Sequence, residues 1–340
     1  MKLRIIAHAG CTDGYSSAFI VKKYWQYLIK NTGITENDLE QAEILPLYPG
    51  DLQAEEFVST PGDIIVDLPR PKGTILFWCD HHATAKPTEE KLPKNQFWKI
   101  TPSCTGYLID LARQDGLKDT PELLAFKEAI DKIDAAEYTP QEIIDCYYDP
   151  NLNSLAPLQK VHAIGAMFNT RDRNLNQEIF RTILSQKLGE TPLSSEALWQ
   201  LNPLLFYRAQ LTSYREWREN VDTYIEYNEE MKCVLQDDRK ATLSRGIPDR
   251  FYACIKFPQA SYTLSLKPMD PEKMRVGLGS NIFHKDRCKV DLGKLCRDIG
   301  KKFGKSSGGG HHDVGGAMIK PANADAMIKY VSEVLKKGEK

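Results

Sequence analysis

The chain lacks a long apolar run, a CxxC pair and an excess of charge of either sign, and each absence removes a class of protein. No stretch of its 340 residues approaches the roughly 18 uninterrupted apolar residues that cross a bilayer, so no membrane partner is expected. The amino-terminal MKLRIIAHAGCTDG turns polar too soon for a secretory core of about 7–15 apolar residues. Eight cysteines stand apart at positions 11, 79, 104, 146, 233, 254, 288 and 296. Thiols scattered in this way read as reduced cysteines of a cytoplasmic protein, not as a zinc ribbon or a disulfide framework. Lysine and arginine total 45 against 46 aspartates and glutamates, a net charge of −1, which argues against a broad basic face for long duplex nucleic acid. Internal repeats, low-complexity tracts and a GxSxG nucleophile elbow are also missing. The remaining composition, 41% hydrophobic and 27% charged, is that of a globular protein long enough for two domains.

Short apolar runs at 3–7, 43–48, 64–68 and 74–79 are β-branched or aromatic and bounded by Gly, Pro or Asp, the pattern of buried parallel strands. Helical periodicity covers about 15–31, 103–114 and 122–133. Alternating strands and helices predict an α/β domain with a doubly wound, mostly parallel sheet over residues 1–150. A helical extension and linker follows over 151–230. Its aromatic residues Phe206, Tyr207, Tyr214, Trp217, Tyr224 and Tyr227 are spaced for packing, although they could also stack bases. From 231 to 340 the texture is that of a smaller α+β domain. Strands are expected near 232–236, 251–257, 261–266 and 275–279, and helices at 290–303 and 322–337.

Five of the seven histidines fall in three short segments, HAGCTDG, WCDHHATA and GGGHHDVGG. Neutral imidazoles and ionised carboxylates bind divalent cations at neutral pH, and glycine-rich turns expose backbone N–H groups to anions. In open α/β sheets the ligand crevice lies beyond the carboxyl ends of the strands. His8, Asp67 and Asp80 all lie at or just after such ends, so they are expected to meet. In the first segment His8, Cys11 and Asp13 could share an ion at a strand-to-helix turn; alternatively Asp13 caps the helix and His8 is a satisfied core residue. Asp80-His81-His82 directly follows an apolar run, where three titratable groups are costly to bury without partners. One histidine there can ligate a metal while the other meets a phosphate. In SSGGGHHDVGG, Gly308, Gly309 and Gly310 would form a loop whose N–H groups approach an anion, with His311 adding a hydrogen bond or charge; a flexible linker is the competing reading. Cys104, beside Ser103 and Thr105, reads as a helix start, and Arg275, Lys285 and Arg287 as surface charges.

On these motifs, DHH after a hydrophobic strand and GGGH some 230 residues later, the chain resembles the DHH phosphoesterase superfamily with a C-terminal domain of the DHHA1 type. The likeness covers nearly the whole length. It implies a metal-dependent hydrolase with two divalent ions, usually manganese, that activate water against a phosphoester. Carried over by motif, it makes His8 and Asp13 ligands, Asp67 the carboxylate shared by both ions, His81 a ligand oriented by Asp80, and His82 a phosphate contact. The fourth motif falls on Asp131 or Asp134, with Asp134 preferred. Ser280 and the glycines would grip the substrate.

Two departures stand out. Many members carry an aspartate where this chain has Cys11, and a thiolate favours zinc or ferrous iron over manganese; the alternative is that Cys11 ligates nothing. Many also carry an arginine before the serine that matches Ser280, where this chain has Gly279. The implied function is cytoplasmic hydrolysis of a small phosphorylated nucleotide or very short oligonucleotide, as a monomer or an oligomer. The rivals are a nucleotide-binding regulatory protein with an attenuated metal site, a single-strand exonuclease, which would need a more basic channel, and a single-zinc hydrolase of a non-phosphate substrate.

Overall fold

The computed structural model describes residues 2–53, 57–168, 173–185, 189–241, 246–304, 308–310 and 312–338. The chain falls into two compact units, one formed by Met1–Glu137 with Asp149–Ala209 and the other by Tyr138–Tyr148 with Gln210–Lys340. The stretch 151–230 is therefore divided within the helix Pro203–Val221, and residues 138–148 side with the carboxyl-terminal unit.

In the first unit, β1 (Arg4–His8), β2 (Glu43–Leu47), β3 (Asp63–Val66), β4 (Phe77–Asp80) and β5 (Gln96–Trp98) form one sheet in the order β2-β1-β3-β4-β5. Every pair in it is parallel. β5 is the strand that the apolar runs did not signal, being only three residues long with a polar Gln96. Side chains alternate between the faces of a strand. Ile5, Ala7, Ile64, Val66, Phe77 and Cys79 accordingly pack into one core with the long helices, while Ile6, Ile65 and Trp78 enter another on the opposite face. That second core is closed by Leu52, Leu68 and Ile75 from short segments. A strand buried on both sides has no polar alternation, which is why these runs read as uninterrupted apolar stretches.

The helices have local causes. Thr12–Leu28 follows β1 directly and carries Asp13 in its first turn. Ser103 caps Cys104–Gln114 by accepting from Gly106 N at 2.8 Å. Thr120 caps Pro121–Ala135, with proline at the first helical position, and Ala136 ends it in the left-handed conformation. Pro157–Phe168 and Arg173–Leu184 complete this layer.

The second unit is a mixed six-stranded sheet in the order β10-β11-β9-β8-β7-β6. Its strands are β6 (Ile225–Asn228), β7 (Cys233–Asp237), β8 (Tyr262–Asp270), β9 (Lys273–Ser280), β10 (Gly308–Gly310) and β11 (Val314–Ile319). Helices Leu292–Phe303 and Ala324–Gly338 cover one face through Leu295, Ile299, Met327 and Val331. Trp217, Tyr224 and Val234 pack together in a separate cluster, and Tyr207 is also buried, so these linker aromatics serve the cores.

Two expectations need correction here. Residues 251–257 do not form a strand, because Tyr252–Lys256 is a short helix. Asp249 initiates it by accepting from Phe251 N at 3.1 Å, and the buried positions Phe251 and Cys254 have helical spacing. The triple glycine is not a loop but an edge strand paired with β11, Gly308 opposite Ala317 and Gly310 opposite Gly315. Tertiary packing overrides glycine's poor strand propensity at this place. A Cβ at Gly308 would collide with the carbonyl oxygen of Cys296 in the overlying helix.

Candidate functional site

Because β1, β3 and β4 are adjacent and parallel, their carboxyl ends share one edge. His8 is the last residue of β1, Asp67 follows β3, and Asp80 ends β4. Asp67 is held at φ 55°, a left-handed conformation that aspartate tolerates better than most residues, and its N–H donates to Cys79 O at 3.0 Å. Gly14 allows the helix after β1 to start against that same edge, since a Cβ there would strike the backbone of His8. The helix start brings in Asp13, whose two oxygens accept from Cys104 N at 2.8 Å and Thr105 N at 2.9 Å. The first turn of a second helix thus seats the carboxylate, where exposed N–H groups favour an anion.

These residues meet. His81 Nε2 lies 3.4 Å from Asp67 Oδ1, 3.4 Å from Asp134 Oδ2 and 3.7 Å from Asp13 Oδ2. On the other side, His8 Nδ1 is 3.3 Å from Asp67 Oδ2. Three ligand sets, His8–Cys11–Asp67, Asp67–His81–His82 and Asp13–His81–Asp134, each have their donor atoms within 4.8 Å of one another. Asp131 is placed elsewhere, accepting from Ser103 Oγ and from Lys127 Nζ, so Asp134 is the fourth-motif residue that joins the cluster. Asp134 belongs to the last turn of its helix, where the backbone dipole disfavours an anion, and burial with the charges of Asp13 and Asp67 pushes its carboxyl well up, so its ionised form calls for a cation.

The hydrogen bonds that orient the two imidazoles differ from the implied scheme. The ring of His81 is fixed by the carbonyl of Thr101, to which Nδ1 donates at 2.9 Å, leaving the Nε2 lone pair for the cluster. Asp80 orients His82 instead, accepting from its Nδ1 at 2.8 Å on the same oxygen that takes His81 N at 2.7 Å. Thr101 carries its role through the main chain, so no side-chain pattern announces it. The Ser103 cap was visible, but the long-range bond from its helix to Asp13 was not.

A divalent metal fits this set. Both oxygens of Asp67 and Nε2 of His81 are buried without a hydrogen-bond partner, an arrangement that is costly unless a cation completes it. The charges agree. Burial and the charge of Asp67 push Asp13 up to about 6, against the opposing pull of His81 and Thr105. Burial alone would lower the pKa of His81, but the nearby carboxylates of Asp67, Asp13 and Asp134 carry it up to about 10. Burial likewise opposes protonation of His82, and Asp80 and Asp67 outweigh it. Burial tends to raise Asp67, but His8 and His81 hold it well below the usual carboxylate range.

The pH dependence of metal uptake follows. Ligation needs an unprotonated Nε2, and the carboxylates around His81 push it up to about 10, while burial and the charges of Asp13 and Asp67 push Asp134 well up too, so binding at pH 7 expels at least one proton. Affinity for Mn2+ therefore rises about tenfold or more per pH unit from 7 to 9. Below about pH 6 Asp13 also holds a proton, and the dependence steepens further. Titration against a chromophoric chelator at several pH values measures this; an affinity independent of pH would remove His81 from the ligand set.

In the second unit, Ser280 is buried at the end of β9, and its N–H donates to Asp313 O at 2.8 Å. The register places Ser280 and Gly310 at the same end of their sheet. Gly309 is the open member of the triplet, its nearest neighbour for an added Cβ being Arg297 Cγ at 3.6 Å. His311 lies outside the described residues. Lys285 faces Asp313 at 3.7 Å, Arg287 donates to Pro258 O at 3.2 Å, and Arg275 is exposed.

Neither a scan against models of known families nor a search of curated proteins returns a match. Solved structures do match. The chain is similar to PggH, a pGpG-specific phosphodiesterase from Vibrio cholerae, at a TM-score of 0.68 and 19% identity, over 99% of this chain and 100% of that one. It is similar to the DHH domain of a member of the s1p family of ribosomal proteins at 0.53 and 14%, over 99% and 87%. RecJ of Thermus thermophilus, solved in complex with Mn2+, matches at 0.53 and 14%, over 99% of this chain and 52% of RecJ. Among the described residues no helix is long and apolar enough to cross a membrane. With its parallel sheet bearing the acidic and imidazole groups and a second, mixed-sheet unit, the chain shares the fold of these solved structures, a DHH domain among them.

Proposed function

We propose that the protein is a metal-dependent phosphodiesterase that hydrolyses small nucleotides or very short oligonucleotides. The observation that carries this reading is Asp67, buried, with one unpartnered oxygen toward His8 and the other toward His81. A carboxylate so placed is suited to bridge two cations. Asp13, Asp67, His81 and Asp134 would hold one, and His8 and Asp67 would anchor the other. Such ions supply Lewis acidity at the phosphoryl group and acidity to water.

The chain's own groups supply the rest. Thr101 fixes the tautomer of His81. Asp80 fixes His82, and the carboxylates of Asp80 and Asp67 push its pKa up against burial, which favours donation of a hydrogen bond to a phosphate oxygen. Within the second unit, Gly308, Gly309 and Gly310 offer edge-strand N–H groups, and Ser280 a hydroxyl, to a phosphate. The likeness to PggH makes a linear dinucleotide such as pGpG the first substrate to test, and the net charge of −1 favours it over long strands.

The test is a hydrolysis assay with Mn2+, Zn2+ and Fe2+ supplied separately. Substrates are pGpG, a 3′-phosphorylated mononucleotide, a cyclic dinucleotide and a long single strand. Turnover is expected on short substrates with little on the long strand. Inertness on all of them with every ion, but retained nucleotide binding, would support the regulatory-protein reading instead.

A further inference from the structure

We infer that the two cation positions are chemically unlike and load with different metals: a thiolate position that takes Zn2+ or Fe2+ and an oxygen-rich position that takes Mn2+ or Mg2+. This inference rests on the metal-site reading above and deepens it. The two positions share only Asp67, and each is defined by different partners. On one side are Asp13, Asp134 and His81, two carboxylates and one imidazole. On the other are His8 and Cys11, one imidazole and one thiol.

Cys11 is not a lone cysteine that happens to be nearby. Its sulfur, a nitrogen of His8 and an oxygen of Asp67 are mutually within 4.8 Å, close enough for one ion to contact all three. Asp67 is 2% exposed and its Oδ2, the oxygen 3.3 Å from His8 Nδ1, has no hydrogen-bond partner. Cys11 itself occupies the capping position of Thr12–Leu28 and makes no side-chain cap bond there. The chain turns sharply just before it through Gly10, whose φ of 65° few other residues adopt. That turn returns the thiol toward the strand end where His8 sits.

Ligand chemistry then separates the two positions. Thiolate is a soft donor that selects zinc and ferrous iron, whereas carboxylate and water suit magnesium and manganese. A sulfur–nitrogen–oxygen set with one shared carboxylate also matches the low coordination number of zinc, and the opposite set has the oxygens for six-coordinate geometry. On ion binding the sulfur–hydrogen bond is replaced by a sulfur–metal bond and the proton leaves to solvent, with no change of oxidation state.

Cobalt(II) reports on this directly, since a thiolate ligand gives it an intense near-ultraviolet charge-transfer band that oxygen and nitrogen ligands do not. Metal-free full-length protein is titrated with Co2+, and separately with Zn2+ followed by Mn2+, reading absorbance, bound metal by elemental analysis and Mn2+ by electron paramagnetic resonance. The expected result is a band that saturates at one equivalent, and a protein that retains one Zn2+ and one Mn2+. Cys11→Asp should lose the band completely while still binding two Co2+, and should exchange the Zn2+ for a second Mn2+. Retention of metal by this variant shows that it folds. Absence of the band in the wild type with two ions bound, or a band that persists in Cys11→Asp, overturns the inference and leaves the hydrolase reading standing. Failure of the wild type to take up any ion overturns both.

Discussion

Asp67→Asn lowers kcat/KM by roughly 1,000-fold or more, since it removes the group on which both cation clusters depend. The substitution leaves the fold intact. Asparagine is also accepted in the left-handed conformation at φ 55°, and the backbone bond to Cys79 is untouched. The metal-free variant should be somewhat less stable than the parent at pH 7, because the charge that His8 and His81 hold ionised, and that in turn supports His81, is gone. Steady-state kinetics, bound-metal analysis and thermal unfolding test the three parts together. Unimpaired turnover, or two ions still retained, would end the bridging role.

The largest effect on stability is expected at Asp249 in the second unit. Its carboxylate pairs with Arg218 Nη1 at 2.7 Å, with side chains only 0% and 13% exposed. Asp249→Ala leaves the guanidinium with the Tyr147 carbonyl at 3.4 Å and the ring of Tyr148 at 4.1 Å, and it removes the acceptor for Phe251 N. Breaking one side of a buried pair costs about 3–5 kcal/mol. By contrast the exposed pair Lys2–Glu43, with side chains 76% and 40% exposed, contributes about 0–1 kcal/mol. Urea unfolding followed by near-ultraviolet circular dichroism measures both; a loss for Asp249→Ala no larger than that of the exposed pair would mean that the buried pair does not hold the unit together.

The parts of the fold that were legible in the sequence are those where one local rule acts alone. Strands buried on both faces announce themselves as apolar runs, and His8, Asp67 and Asp80 could be located at their ends without knowing the sheet order. The separation of Asp134 from Asp131 was harder, since both lie on one helix three residues apart; the structure divides them because Gly106 lets Asp131 approach the Ser103 cap. Three features were not legible. The segment 251–257 has strand-like composition, but the turn at Asp249 imposes a helix. Gly308–Gly310 has the composition of a linker, and only the register with β11 and the helix above it make it a strand. The partner of the His81 ring is a main-chain oxygen 20 residues away, which no side-chain motif encodes.

A single oxygen of the Asp80 carboxylate gathers the main-chain N–H groups of His81 and His82 and the ring of His82. The tripeptide thereby holds its own shape by bonds internal to it, and no loop has to be ordered on arrival of its cargo. Ion capture at such a preformed nest is paced by the shedding of hydration water, so sluggish exchange would be a property of the cation and not of the polypeptide.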